Sequence, residues 1–239
     1  TDQTATVFTK QKCTLAGIDA AKSIFKYFDI DAKTEFSNGD KAHPENVIFN
    51  ISGSAVSLLR AERLVLNFLG HLSGIATLTR DCVNTVECYS DNTKVACTRK
   101  TTPGLRKFEK MAVIAGGGDP HRYSLSDAVM VKDNHIKMLG FEKAINKAIE
   151  HASFTQKIEV EVESVDEAVK AAQMDIDIIM LDNMKPAEII HTIEILKDKK
   201  LRDDVVLEIS GGINTENLEE YAKTGVDIIS MGSLIHMSQ

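Results

Sequence analysis

A run of basic groups, Arg99, Lys100, Arg106, His121, Arg122 and Lys132, falls within a short stretch of a chain whose formal net charge is −7. A guanidinium grips a carboxylate or phosphate through two parallel hydrogen bonds, whereas an ammonium acts as a point charge. Several such groups converging on one pocket would bind a small polyanion. Further along stand the acids Glu161 and Asp182. Two carboxylates, completed by substrate oxygens and water, are a common way of holding Mg2+. Ser210-Gly211-Gly212 and Gly232-Ser233 then offer glycine stretches where backbone can approach a phosphate closely. Each feature also has a plain reading. The charges can pair with one another, a Lys or Asp just past a strand is common solvated punctuation, and short glycine pairs are weak signals singly. Gly116-Gly117-Gly118 fits either a flexible connection or an anion loop.

These residues gain meaning from the elements that must carry them. Residues 4–9 and 47–51 read as strands, and residues 15–28 have helical spacing, with Ala16, Ala20, Ile24 and Phe28 four apart. Together they form a small α+β unit. A long helix follows over 57–86, with a kink or break expected at Ser73-Gly74. From residue 94 the pattern alternates. Strands are expected at 94–98, 128–132, 158–162, 178–181, 205–209 and 227–231. Helices are expected at 105–115, 141–151, 165–174, 188–197 and 216–223. Ser164 with Glu167 fits a capping box, and Pro186 fits a first helical turn.

Strands alternating with helices imply a parallel sheet with right-handed crossovers. The expected fold is α/β, an incomplete parallel α/β barrel of about six to seven strands preceded by a small α+β open sandwich. The expected domains are 1–66 and 67–239. An open doubly wound sheet is the structural alternative, but no G-x-G-x-x-G follows the first strand, which weakens a dinucleotide-binding reading. Parallel α/β folds build their sites at the C-terminal strand ends. Those ends here carry Thr98, Arg99 and Lys100; Lys132; Asp182; Ser210 to Gly212; and Gly232-Ser233. The glutamates Glu159, Glu161 and Glu163 alternate with Ile158, Val160 and Val162, as on a half-exposed strand.

Composition narrows the function. An acidic chain lacks the broad basic face of a nucleic-acid binder. With no Trp and 5% aromatic residues, aliphatic side chains must supply the core. Cys13, Cys82, Cys88 and Cys97 form neither a C-x-x-C pair nor a zinc spacing, so free thiols and a cytoplasmic location are expected, with no signal peptide and no membrane span.

At this point the motifs match a family. Glu62-Arg63, His71 to Thr77, the string Thr98-Arg99-Lys100-Thr101-Thr102-Pro103-Gly104-Leu105-Arg106, Gly116 to Gly118 with His121-Arg122, and Val131-Lys132-Asp133-Asn134-His135 occur in order. They continue with Glu159-Val160-Glu161-Val162, Leu181-Asp182-Asn183, Ser210-Gly211-Gly212-Ile213, and Thr224 to Gly232. Over residues 15–236 the chain resembles the quinolinate phosphoribosyltransferases, type II phosphoribosyltransferases that carboxylate in name and decarboxylate in chemistry. The resemblance implies phosphoribosyl pyrophosphate, quinolinate and Mg2+ as ligands, with nicotinate mononucleotide, pyrophosphate and CO2 as products.

Carried over by position, the resemblance assigns catalytic roles to Lys100, Lys132, Glu161 and Asp182. Arg99, Lys100, His121, Arg122 and Lys132 would hold quinolinate carboxylates and neighbouring phosphates, alongside Thr98. Glu161 and Asp182 would contact ribose and the metal. Ser210, Gly211, Gly212, Gly232 and Ser233 would hold the 5′-phosphate, with His236 at its edge. Arg63 would reach into a partner subunit's site, implying at least a homodimer. The chain departs from the family pattern in places. Relatives begin about 25 residues earlier, more than end fraying accounts for, and continue past His236. Ser124 and Ser126 replace a glycine-rich version, and Cys97 stands where aspartate is frequent. Rival readings are a nicotinate-using transferase, a molybdenum-operon relative that lacks the Lys-Asp-Asn-His string, a Schiff-base aldolase with Lys132 as nucleophile, and a non-catalytic binding protein.

Overall fold

The computed structural model describes residues 2–238; Thr1 and Gln239, the outer ends of the two expected domains, lie outside it. The chain divides into two units. One comprises Thr1–Val83, Lys100–Pro120 and Ser233–Gln239, and the other Asn84–Arg99 and His121–Gly232. The expected boundary at 66/67 falls inside a continuous helix.

In the first unit, β1 (Asp2–Phe8), β2 (Cys13–Thr14), α1 (Ile18–Tyr27), β3 (Asp31–Lys33), β4 (Lys41–Ala42) and β5 (Val47–Ser54) precede the long helix α2 (Ala55–Glu87), whose last residues are counted with the second unit. Strand β5 lies between β1 and β3, antiparallel to both, and β2 pairs with β4. Helix α1 buries Ile18, Ala21 and Phe25, a spacing that keeps one face on the sheet. Phe25 meets Phe49 of β5 edge to face, with ring centroids 5.3 Å apart. Gly17 (φ 87°) turns the chain into the helix, and Asn38 Oδ1 accepts a hydrogen bond from the Ile18 N–H at 3.0 Å.

No break interrupts the helix at Ser73-Gly74: α2 runs on through both residues. The Ser73 hydroxyl is engaged with the Ala16 backbone, and the Thr77 hydroxyl donates to the Ser73 carbonyl at 2.6 Å, so both hydroxyls are satisfied inside the helix. Helix α3 (Arg106–Ala115) ends in the triple glycine. The N–H groups of Gly116, Gly117 and Gly118 donate to Ala112, Ile114 and Val113 carbonyls, so this segment closes a helix end and is not an anion loop. A side chain at Gly116 would meet the Ala76 carbonyl and Thr79 at 2.6 Å, which is how α2 and α3 come so close.

The second unit contains β6 (Lys94–Ala96), β7 (Ala128–Val131), α4 (Asp133–Leu139), α5 (Phe141–His151), β8 (Lys157–Val162), α6 (Val165–Ala172), β9 (Ile178–Asp182), α7 (Pro186–Asp198), β10 (Val206–Ser210), α8 (Leu218–Ala222) and β11 (Ile228–Ser230). Helix α9 (Ser233–His236) belongs to the first unit. The six strands are parallel neighbours in the order β6-β11-β10-β9-β8-β7. This is the cyclic order of an α/β barrel opened between its first and second strands. Helix α4 is an addition to the expected elements.

Alternation along the strands gives the sheet two unlike faces. Ile158, Val160, Val162, Ile179, Leu181, Leu207, Ile209 and Ile229 are buried on one. The other carries Glu159, Glu161, Met180, Asp182, Glu208, Ser210 and Ser230. Strand β8 is not half-exposed: Glu159 is 0% and Glu161 9% accessible, because both faces of a parallel sheet are covered. At the opposite strand ends, Asp227 takes Arg202 through both carboxylate oxygens at 2.9 Å and the Leu207 N–H at 2.7 Å. Ser164 caps α6 through the Glu167 N–H, while the Glu167 carboxylate reaches back to the Glu163 N–H.

Candidate active site

Because the strands are parallel, their C-terminal ends share one rim of the second unit. Thr98 and Arg99 follow β6, Lys132 follows β7, Asp182 ends β9, Ser210 ends β10 with Gly211-Gly212 after it, and Gly232 follows β11. His121 and Arg122 enter the same unit just ahead of β7. Lys100, Arg63, Ser233 and His236 belong to the first unit. Arg63 is largely exposed on α2, with Glu62 of its own helix 3.9 Å away. Lys100 is exposed, and Arg106 donates from Nε to Thr101 Oγ1 at 3.1 Å.

Lys132 Nζ lies 2.5 Å from Glu161 Oε2, so the plain expectation that charges would pair is met at this point of the rim. Asp182 stands beside Glu161, and burial, then the Glu161 charge, push its carboxyl above the ordinary aspartate range. Asn183 Nδ2 donates to Asp182 Oδ2 at 2.7 Å. The Asp182 carboxyl beside the Glu161 charge has a repulsion that a cation relieves. Mg2+ usually keeps several waters and takes one or two carboxylates, so this pair fits such an ion.

Arg122 is half-buried. It donates to the Ala128 carbonyl at 3.4 Å and contacts Met130 Sδ at 3.0 Å. Burial lowers its pKa, Glu159 opposes that, and Arg99 adds like-charge repulsion. Arg99 and Arg122 are thus close enough to feel one another over the polar face. Arg99 Nε is buried with no hydrogen-bond partner among the described residues.

Beneath them lie two acids that sequence reasoning did not assign to the site. His121 Nε2 is 3.1 Å from Glu208 Oε2 and 3.9 Å from Glu159 Oε2. Both Glu159 oxygens and Glu208 Oε1 are buried without a hydrogen bond among the described residues. Burial, then the Glu208 charge, push the Glu159 carboxyl up to about 7. By ligand type and spacing this trio could hold a metal ion. The hydrogen bonding opposes it: the Arg122 N–H donates to His121 Nδ1 at 2.8 Å, which leaves the proton on Nε2, facing Glu208 as a donor.

After β10, Asn183 (φ 54°) donates its N–H to the Ser210 carbonyl at 2.9 Å. Gly211 (φ 101°) lies so close to the Asn183 side chain that no Cβ would fit, and Gly212 (φ 65°) follows. The bend that brings backbone N–H groups to the rim therefore requires glycine.

An opened six-strand barrel with cations gathered over a polar face places the chain among the α/β phosphoribosyl transferases. Residues 1–73 match the N-terminal domain, and residues 75–239 the C-terminal domain, of quinolinate phosphoribosyl transferase. The chain belongs to the quinolinate phosphoribosyl transferase family. It is 44% identical over 229 residues to the probable nicotinate-nucleotide pyrophosphorylase [carboxylating] of Methanothermobacter thermautotrophicus, covering 95% of this chain and 82% of the relative. Against the human nicotinate-nucleotide pyrophosphorylase [carboxylating] it is 39% identical over 231 residues, 96% of this chain and 77% of that one. Among solved structures, NadC from Streptococcus pyogenes superimposes with a TM-score of 0.91 at 40% identity, covering 99% of this chain and 82% of the other. The nicotinate-nucleotide pyrophosphorylase from Francisella tularensis gives 0.93 at 38% identity, covering 100% and 84%.

Proposed function

We propose that this protein transfers the phosphoribosyl group of phosphoribosyl pyrophosphate to quinolinate with decarboxylation, giving nicotinate mononucleotide, pyrophosphate and CO2. The observation that carries the reading is the polar sheet face of the second unit, where Arg99, Arg122 and Lys132 gather with Glu161 and Asp182 at the strand ends. Arg122 and Lys132 hold the two carboxylates of the pyridine. Glu161 and Asp182 face the ribose and stabilise the positive character that develops on C1 as the C1–oxygen bond to pyrophosphate breaks. Glu161 and Asp182 would hold Mg2+, which would supply charge neutralisation for the leaving group. The pyridine nitrogen forms the new bond to C1. The ring, now quaternary, accepts the electron pair left as the adjacent carboxylate departs as CO2, and a proton from solvent completes the carbon.

Lys132 does not suit a Schiff-base role. Its ammonium is held by Glu161 and about half exposed, not enclosed in a dry pocket. Lys100 joins the anion-binding set, Ser210 to Gly212 with Gly232 and Ser233 take the 5′-phosphate, and Thr98 and His236 border the substrates. The working unit is a cytoplasmic homodimer in which Arg63 serves the partner's site. Incubation with carboxyl-labelled quinolinate, phosphoribosyl pyrophosphate and Mg2+ should release labelled CO2 in step with pyrophosphate. Pyrophosphate release with nicotinate, and no CO2 from quinolinate, would overturn the reading in favour of a nicotinate-using enzyme.

A further inference from the structure

Two charged residues sit side by side on α3 with no exposure at all: Glu109 and Lys110 are both 0% accessible. Burying an ion is costly unless it is well paired, so a fully buried acid and base need partners of matching value. Each is held by groups of the chain nearby. Glu109 Oε2 accepts the Thr102 N–H at 2.9 Å, and Oε1 lies 3.0 Å from His71 Nε2 on α2. Lys110 Nζ donates to the carbonyl of Pro120. Thr102 stands two residues after Lys100, and Pro120 is the residue immediately before His121-Arg122.

We propose that Glu109 and Lys110 are positioning residues, a buried pair that anchors the two chain segments leading into the anion-binding set. Glu109 fixes the backbone that follows Arg99-Lys100, and Lys110 fixes the backbone that leads into His121-Arg122. Neither segment forms a strand or helix, though Asp119 makes an isolated bridge. Residues 99–102 carry no strand or helix, and His121 itself has a left-handed φ of 51°. A non-glycine residue in that region is strained and persists only where its surroundings hold it. The Pro120 anchor lies one peptide away. Helix α3 supplies the rigidity: it packs on α2 through the close approach at Gly116 and through Phe68 against Phe108, centroids 5.4 Å apart. The Thr102 N–H and the Pro120 carbonyl are backbone groups, so through them the pair controls where the chain runs.

The test combines kinetics with amide exchange. In the wild-type protein the Thr102 amide, though its residue is exposed, should exchange far more slowly than a free-chain amide. Exchange at the free-chain rate would overturn the Glu109 anchor without any variant. Lys110→Met and Glu109→Ala should each raise KM for substrate on the order of tenfold, since small displacements of binding groups are expensive, with kcat within about twofold. Exchange should quicken over residues 118–122 in the first and 100–106 in the second. Glu109→Gln keeps an acceptor for the Thr102 N–H and should restore KM. A merely structural role would lower the melting temperature and the active fraction, hence kcat, while leaving KM and the local exchange pattern alone; that result overturns the proposal. The kinetic arm rests on the quinolinate reading. Wild-type protein that releases no CO2 would defeat that reading alone, and the exchange arm still decides the anchors.

Discussion

Glu159→Gln should make the protein more heat-stable at alkaline pH and leave it unchanged in acid. Glu159 is sealed from water, neither of its oxygens is hydrogen-bonded, and Glu208 brings a second carboxyl close by. Burial, then Glu208, carry its pKa from 4.5 to about 7. With the folded value above the unfolded one, the native chain holds an extra proton between those two limits. Stability linked to this group is therefore complete below the unfolded value and is lost as pH rises through about 7. At about 1.4 kcal/mol per pH unit, full ionisation removes about 3 kcal/mol. Glutamine copies the neutral acid and cannot ionise. In a chain of this size 1 kcal/mol moves the melting temperature by about 2–4 °C, so the variant should melt roughly 6–12 °C above wild type at about pH 8. The curves should converge near pH 5. Calorimetry in metal-free buffer at the two pH values is sufficient. Identical melting at both, or a gap of the same size at both, refutes the reasoning.

Lys132→Ala removes the cation paired with Glu161 and should raise KM for quinolinate by at least tenfold while leaving phosphoribosyl pyrophosphate binding nearly intact; unchanged steady-state kinetics would contradict the assignment. Gly211→Ala forces a side chain into Asn183 at a left-handed φ, and should cost about 1–3 kcal/mol of stability together with phosphate affinity, read from melting with and without phosphoribosyl pyrophosphate. Asp182→Asn relieves the repulsion from Glu161 and removes a metal ligand, so the Mg2+ concentration for half-maximal rate should rise about tenfold; an unshifted Mg2+ curve would place the ion elsewhere.

Much of the second unit was legible in the letters because each strand and helix there is long enough to carry its own period. Strands such as Lys157–Val162 and helices such as Phe141–His151 alternate as expected. The shorter pieces were not. Strand β3 is Asp-Ala-Lys, three residues with no apolar alternation, and α4 hides in a polar run that also reads as a strand end. The glutamates of β8 read as half-exposed because alternation does not say what covers the second face; here Glu159 and Glu208 are as buried as the apolar side chains, while Asp182 and Ser210 at the strand ends are partly open. Glu208 escaped notice because its partner His121 lies 87 positions away. Its only local mark is an acid between Leu207 and Ile209 in a strand otherwise apolar, a position that asks for a distant donor. The triple glycine is ambiguous in the letters because its role is decided by backbone N–H groups that close α3.

The mutual repulsion of Arg99 and Arg122 has a practical side. Glu159 offsets the Arg122 charge more than Arg99 opposes it, yet the Arg99 Nε donor has no hydrogen-bond partner among the described residues and can still take a counter-ion. Any phosphate-like solute that settles between the two guanidiniums relaxes the native state and, by mass action, makes it harder to melt; at a hundred times its dissociation constant such a solute adds about 2.7 kcal/mol. Storage buffer then becomes a determinant of shelf life: preparations dialysed into chloride should age faster than the same protein kept in phosphate.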